Sequence, residues 1–159
     1  MASGDIAYYC FVPDSYIFNF QGDNFIKLVL ISLSLFPIQT LAEELLFRSY
    51  ILQGVYQVFG RAILPAIISS LLFMGLHMAN PETAQFGYSL MIPYYFMSGL
   101  FLGILTILDD GIEQGYGIHT ATNIYGAILV GYEGSALQTN SLWTIKNPSG
   151  LVMVASTLL

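Results

Sequence analysis

The sequence alternates between long apolar runs and short polar breaks. Gly60-Arg61, Asn80-Pro81-Glu82 and Asp109-Asp110-Gly111 are the clearest breaks. Most of the apolar runs approach the roughly 20 residues that a membrane-spanning helix needs. The predicted helices cover residues 25–36, 37–59, 62–78, 88–108 and 112–131. Pro37 is expected to separate the first two, because proline removes a helical hydrogen bond and clashes with the preceding turn.

The two ends of the chain lack a complete run of this kind. Residues 1–24 mix aromatic, acidic and glycine residues, and we predict an irregular or interfacial segment there. Residues 132–148 are polar and are expected to form a loop. Residues 149–159 are apolar but too few to span a bilayer, so we interpret them as the start of a truncated further segment. Residues 25–148 are then the core of a longer membrane protein or of a minimal version of one.

Composition turns this pattern into a prediction of fold class. Hydrophobic residues make up 55% of the 159 residues, charged residues only 9%, and the mean hydropathy is +0.67. Such values are rare in soluble domains, so we predict an all-α, polytopic transmembrane helix bundle, an integral membrane protein. A net charge of −6 with four basic residues argues against a nucleic-acid partner. The single Cys10 excludes an internal disulfide and a cysteine metal cluster.

Three of the few charges fall together inside an apolar run, at Glu43, Glu44 and Arg48. Glu44 and Arg48 are four residues apart, so they share a helix face and are predicted to form an ion pair. Glu43 points elsewhere and is expected to have no local partner. A desolvated carboxylate without a cation can serve as a general base. The alternative is an exposed charged patch on the helix of a soluble protein.

Both histidines of the chain also lie in apolar segments. Phe73-x-x-x-His77 places an aromatic ring one turn before an imidazole, and His119-x-x-x-Asn123 places an imidazole and a carboxamide on one helix face. A lone histidine in an apolar helix is usually a core residue. Two of them, with an unpaired glutamate and an asparagine, are expected to be partners in a bundle interior.

These residue types suit the hydrolysis of a peptide bond. A glutamate can take a proton from water that a histidine orients, and an asparagine amide with a second imidazole can stabilise the oxyanion. Zinc is an alternative, because two imidazoles and a carboxylate leave a position open for water. Spacing does not decide between them, since the ligands come from separate helices. Asn123 favours the metal-free mechanism, because an amide is a poor zinc ligand.

In this order, Glu43-Glu44-x-x-x-Arg48, Phe73-x-x-x-His77 and His119-x-x-x-Asn123 resemble the motifs of the CPBP (Abi) family of intramembrane proteases, which includes the CAAX prenyl endopeptidases. The resemblance implies a helix bundle with an intramembrane polar cavity and a mechanism without metal or other cofactor. By motif position, it assigns water activation to Glu43 and His77 and oxyanion stabilisation to His119 and Asn123. The residues expected to support them are Glu44, Arg48 and Phe73.

The resemblance also implies the partners of the chain. These are membrane lipid and a peptide or protein substrate, with prenylated CAAX-type tails as one class. The competing interpretation is a non-catalytic membrane protein, such as a bacteriocin immunity factor or a scaffold, in which the polar residues lock helices together. Every motif position is filled here, which favours the protease.

Overall fold

A computed structural model describes residues 9–10, 13–61 and 63–150, and they are mostly helical. The helices are α1 (Gly22–Phe59), α2 (Ile63–His77), α3 (Pro81–Phe86), α4 (Tyr88–Asp109) and α5 (Glu113–Ile128). The strands are β1 (Tyr16–Phe18), β2 (Val130–Tyr132) and β3 (Trp143–Ile145). Almost all of the predicted further segment at residues 149–159 lies outside the described residues.

Helix α1 is a single helix of 38 residues, so the predicted break at Pro37 is wrong. The helix passes through Pro37, and the hydroxyl of Thr40 donates hydrogen bonds to the carbonyls of Phe36, at 2.8 Å, and Pro37, at 3.4 Å. Proline is tolerated inside apolar helices when side chains of this kind satisfy nearby backbone groups. The predicted end at Phe59 is confirmed, because Gly60 closes the helix with a left-handed φ of 63°.

The middle of α1 is a π-helix, Leu45–Leu52, which we call the π segment. The sequence pattern did not predict it. Each π turn holds more residues than an α turn, and such segments occur frequently at functional sites. Phe47 and Arg48 in this segment are both buried. Ser69 of α2 holds the segment by donating to the carbonyl of Phe47 at 2.8 Å.

Helices α2 and α4 pack closely, as the Gly99-x-x-x-Gly103 spacing predicts. A Cβ added to Gly99 would lie 3.2 Å from the Cα of Ser70, and one added to Gly103 would lie 3.8 Å from the Cβ of Ala66. The buried core beside this contact is mostly aromatic and consists of Phe47, Phe73, Met91 and Tyr95. The core therefore sits directly against the motif residues of α1 and α2.

Three short strands correct the all-α prediction and the loop predicted at residues 132–148. β3 lies between β1, to which it is antiparallel, and β2, to which it is parallel. Tyr16 pairs with Ile145, and Phe18 pairs with Trp143. Aromatic and β-branched side chains favour strands, and these runs are too short to form a stable helix. The first of them lies in the segment that we expected to be irregular.

Two helices, α1 and α4, are long and apolar enough to cross a membrane by length and composition. Helix α2 is apolar but has only 15 residues, fewer than the predicted run. Helix α5 begins at Glu113 and ends at Ile128, so it is also shorter than predicted. The prediction of a mostly helical chain is confirmed.

Glu82 connects α3 to the sheet. It is 4% exposed, and its Oε1 accepts hydrogen bonds from the backbone N–H of Ala136, at 2.7 Å, and from the hydroxyl of Tyr132, at 3.2 Å. Burial, and the carboxylate of Glu82 beside it, raise the pKa of the Tyr132 hydroxyl, so this hydroxyl remains a donor. The carboxylate thus holds two elements together.

Glu82→Ala is expected to lower the free energy of unfolding by about 1–3 kcal/mol, because it removes the acceptor of two part-buried hydrogen bonds, one from a backbone N–H and one from a hydroxyl. Thermal unfolding in detergent, followed by circular dichroism, measures the loss. Glu133→Ala is the matched control, because Glu133 is an exposed acid next to Tyr132. Equal stability of the two variants would show that the Glu82 contacts contribute nothing.

Candidate active site

Glu44 and Arg48 form the buried centre of the site. Nη1 of Arg48 lies 3.2 Å from Oε1 of Glu44, and both side chains have 0% exposure. The guanidinium also donates through Nη2 to the carbonyl of Gly99 at 3.3 Å, and its Cζ lies 4.7 Å from the ring centre of Phe73. The predicted ion pair is confirmed. It joins the π segment to α4 and to the aromatic core.

His119 links this pair to Glu43. Nδ1 of His119 lies 2.8 Å from Oε1 of Glu44. Glu44 is paired with Arg48 and accepts, so Nδ1 donates and carries a proton. The other ring nitrogen, Nε2, lies 3.8 Å from Oε2 of Glu43. The imidazole of His119 is therefore oriented by the carboxylate of Glu44 and faces the carboxylate of Glu43.

Glu43 is held by a residue that the sequence analysis missed. Nε2 of Gln39 donates a hydrogen bond to Oε1 of Glu43, so the prediction of no local partner is wrong. Gln39 is uncharged, but the four-residue spacing places it on the same helix face as Glu43 and could have indicated this contact. Oε2 of Glu43 is buried and has no hydrogen-bond partner in the described part of the chain. Glu43 thus keeps one bound and one free oxygen.

Asn123 completes the cluster from α5. Its Nδ2 donates to Oε1 of Gln39 at 3.3 Å. His119 and Asn123 lie on one face of α5, as predicted, and both are turned toward α1. The hydroxyls of Thr40 and Thr120 lie 2.6 Å apart and hold the two helices together beside them. Two of the three motifs, at least 75 residues apart in the chain, therefore meet because α1 packs on α5.

His77 is placed differently from the prediction. Its Nδ1 lies 2.8 Å from the carbonyl of Phe73, and its ring lies between the rings of Phe73, at 4.2 Å, and Tyr95, at 4.7 Å. Within residues 9–10, 13–61 and 63–150, no hydrogen bond or ion pair joins His77 to Glu43. His77 is connected to His119 through the ring of Phe73, which packs against His77. The centre of this ring lies 6.1 Å from the ring centre of His119. The imidazole beside Glu43 is His119.

The side chains of the cluster include the donor types that can bind a metal ion. Among the described residues, no group of three histidine, cysteine or acidic side chains has an arrangement that could hold a metal ion. Oε1 of Glu44 and Nδ1 of His119 are already hydrogen bonded to each other. A carboxylate with a free oxygen that faces an oriented imidazole is an arrangement that can transfer protons.

An open apolar cavity of about 310 Å³ lies between the π segment and α2. Its lining residues are Leu46, Phe47, Ile51, Leu71, Leu72, Gly75 and Leu76. No polar group of the cluster lines it. This cavity is therefore not the polar cavity that the resemblance implies.

The fold and the site together define a class: a mostly helical protein with two helices able to cross a membrane and a charged cluster between α1 and α5. Comparison with known proteins is consistent with this class. The family model described as "Type II CAAX prenyl endopeptidase Rce1-like" matches residues 25–125, which is more than half of the chain. The chain belongs to this family of membrane-embedded proteases, and the predicted resemblance is confirmed.

One curated relative is "Uncharacterized protein YyaK" of Bacillus subtilis (strain 168). It is 37% identical over 114 residues, which cover 71% of this chain and 38% of the relative. The chain thus matches less than half of the length of that protein. No solved structure gives a significant match.

Proposed function

We propose that this chain carries the catalytic core of an intramembrane endopeptidase that hydrolyses peptide bonds with a water molecule activated by Glu43. One observation supports the proposal above the others. The free Oε2 of Glu43 is buried beside Nε2 of His119, at 3.8 Å, with no hydrogen-bond partner among the described residues. A water bound beside these two atoms would donate a hydrogen bond to each of them. Family membership supports the same reaction class.

In the proposed reaction, Oε2 of Glu43 takes a proton from this water while Nε2 of His119 accepts a hydrogen bond from it. The water oxygen forms a bond to the carbonyl carbon, and the carbonyl electron pair moves to its oxygen. Asn123 has a second N–H besides the one bonded to Gln39, and this N–H donates to the oxyanion. Collapse re-forms the carbonyl, breaks the C–N bond and sends the proton from Glu43 to the leaving nitrogen.

This assignment differs from the one that the resemblance implies for the two histidines. His119 acts on water because it is the imidazole next to Glu43. His77 is separated from His119 by the ring of Phe73. When its Nδ1 donates to the Phe73 carbonyl, its Nε2 carries no proton and can accept a hydrogen bond from water or substrate. Phe73 separates and orients the two rings.

Glu44 and Arg48 are proposed to hold His119 rather than to react. The buried ion pair neutralises Glu44, and Glu44 fixes the ring of His119 through Nδ1. Two adjacent acids then have separate tasks, since one orients the imidazole and the other exchanges protons. A scaffold role would need only the Glu44–Arg48 ion pair, whereas this division gives the second acid, Glu43, a task of its own.

The proposal places the reaction in a polytopic helix bundle, in a polar cavity reached from the membrane. Exposed apolar side chains cover α1, among them Ile26, Leu30, Leu33 and Ile38, and these suit contact with lipid. The substrate is then a membrane-associated peptide or protein. Prenylated CAAX-type tails are the class named for the family.

The test is cleavage of matched peptides, prenylated and unmodified, by membranes containing the chain. Mass spectrometry should detect a new carboxyl terminus that carries one heavy oxygen when the reaction runs in heavy-oxygen water. Membranes without the chain are the control. Absence of cleavage of both peptides would favour the non-catalytic alternative. Activity lost with phenanthroline and restored by added zinc would favour the zinc alternative.

A further inference from the structure

The carboxamide of Gln39 lies between two residues of the proposed mechanism. Its Nε2 donates to Oε1 of Glu43, and its Oε1 accepts from Nδ2 of Asn123 at 3.3 Å. We infer that Gln39 is a positioning residue for the proposed hydrolysis, which fixes the base and the oxyanion donor relative to each other. The inference rests on the proposed function.

The inference depends on the direction of these two hydrogen bonds, that is, on which group donates and which accepts. An ionised carboxylate can only accept, so Gln39 must turn its N–H groups toward Glu43. Its oxygen then faces Asn123, and only the Nδ2 side of Asn123 can satisfy an oxygen acceptor. The charge of Glu43 thus determines which end of Asn123 faces α1. Without Gln39, the Asn123 carboxamide could flip and present its oxygen to the substrate, where it would repel an oxyanion.

Gln39 also determines which oxygen of Glu43 reacts. Its hydrogen bond occupies Oε1, so Oε2 is the atom left to face His119. A general base must lie within hydrogen-bond reach of the proton it takes, and a rotating carboxylate would meet this condition only part of the time. Gln39 therefore keeps Glu43 in one orientation before substrate arrives.

The interface between α1 and α5, which we call the α1–α5 seam, explains why Gln39 can reach both Glu43 and Asn123. Gln39 contacts Asn123, and one turn further along α1 Glu43 faces His119. The order along α5 is reversed, as expected for two antiparallel helices. Each turn of the seam thus places one polar pair across the interface, and the Thr40–Thr120 contact keeps the spacing close.

Gln39→Leu tests the inference, because it removes both hydrogen bonds and keeps a similar size. Gln39 is exposed, so the change should leave the unfolding midpoint unaltered. The value of kcat is expected to fall about 10- to 100-fold, the range for a hydrogen bond to a charged group, with little change in KM. Gln57→Leu is the matched control, since Gln57 is an exposed glutamine of the same helix.

A double-mutant cycle with Asn123→Ala separates positioning from a general structural effect. If Gln39 acts partly through Asn123, Gln39→Leu should cost less in the Asn123→Ala background than in the wild type. Gln57→Leu should show no such coupling. Gln39→Glu, which places a second carboxylate against Glu43, should lower kcat further than Gln39→Leu.

Two failures are distinguishable. If the wild type cleaves and Glu43→Gln does not, but Gln39→Leu retains the wild-type kcat or combines additively with Asn123→Ala, the inference about Gln39 is wrong and the proposed function stands. If the wild-type chain cleaves neither peptide, the proposed function fails, and the positioning role fails with it.

Discussion

Glu43→Gln is expected to abolish turnover while the protein keeps its fold and binds substrate. Glutamine has nearly the same shape, and its oxygen can still accept the hydrogen bond from Gln39. It cannot take a proton from water at neutral pH. A positioned general base typically contributes about 10²–10⁴ in rate, so kcat should fall by at least this factor. Cleavage of the matched peptides measures turnover, and thermal unfolding measures the fold.

The matched control for this prediction is Glu113→Gln, the same chemical change at an exposed acid at the start of α5. It should retain wild-type kcat. Full turnover by Glu43→Gln would contradict the mechanism, and so would a collapse of its unfolding midpoint. In the second case the carboxylate would be a structural element of the α1–α5 seam rather than the base.

The features that could be predicted from the sequence depend on local spacing. The Glu44–Arg48 pair follows from a separation of four residues, and the close approach at Gly99 follows from small residues one turn apart. The end of α1 at Gly60 follows from the conformational freedom of glycine. These interactions lie within one helix or at one point of contact, so the sequence contains them directly.

Other features depend on partners that are distant in the chain. The hydrogen bond between Asn123 and Gln39 connects residues 84 positions apart, and it exists only because α5 lies against α1. His77 was expected to act together with Glu43, but its ring packs between those of Phe73 and Tyr95 instead. Local spacing cannot supply such information, because helix packing decides it.

The third group consists of backbone features that depart from regular α-helix rules. Pro37 does not end α1, since a threonine one turn later satisfies nearby carbonyls. The π segment was not predicted because π turns are rare and local residue spacing does not mark them. Its presence at Arg48 is consistent with a site that has to turn one long side chain inward.

Arg48→Ala is expected to lower the free energy of unfolding by about 3–5 kcal/mol, because it leaves the buried carboxylate of Glu44 without its cation. It also removes the hydrogen bond to Gly99 and the guanidinium over the ring of Phe73. Activity should fall as well, since Glu44 orients His119. Thermal unfolding in detergent measures the loss of stability, and peptide cleavage measures the loss of activity.

Two further variants separate the stranded charge from the lost packing. Arg61→Ala removes an exposed arginine between α1 and α2 and should leave stability within about 0.5 kcal/mol of the wild type. Glu44→Gln in the Arg48→Ala background neutralises the stranded carboxylate, so it should recover part of the stability and none of the activity. If Arg48→Ala alone is as stable and as active as Arg61→Ala, the ion pair supports neither the fold nor the orientation of His119.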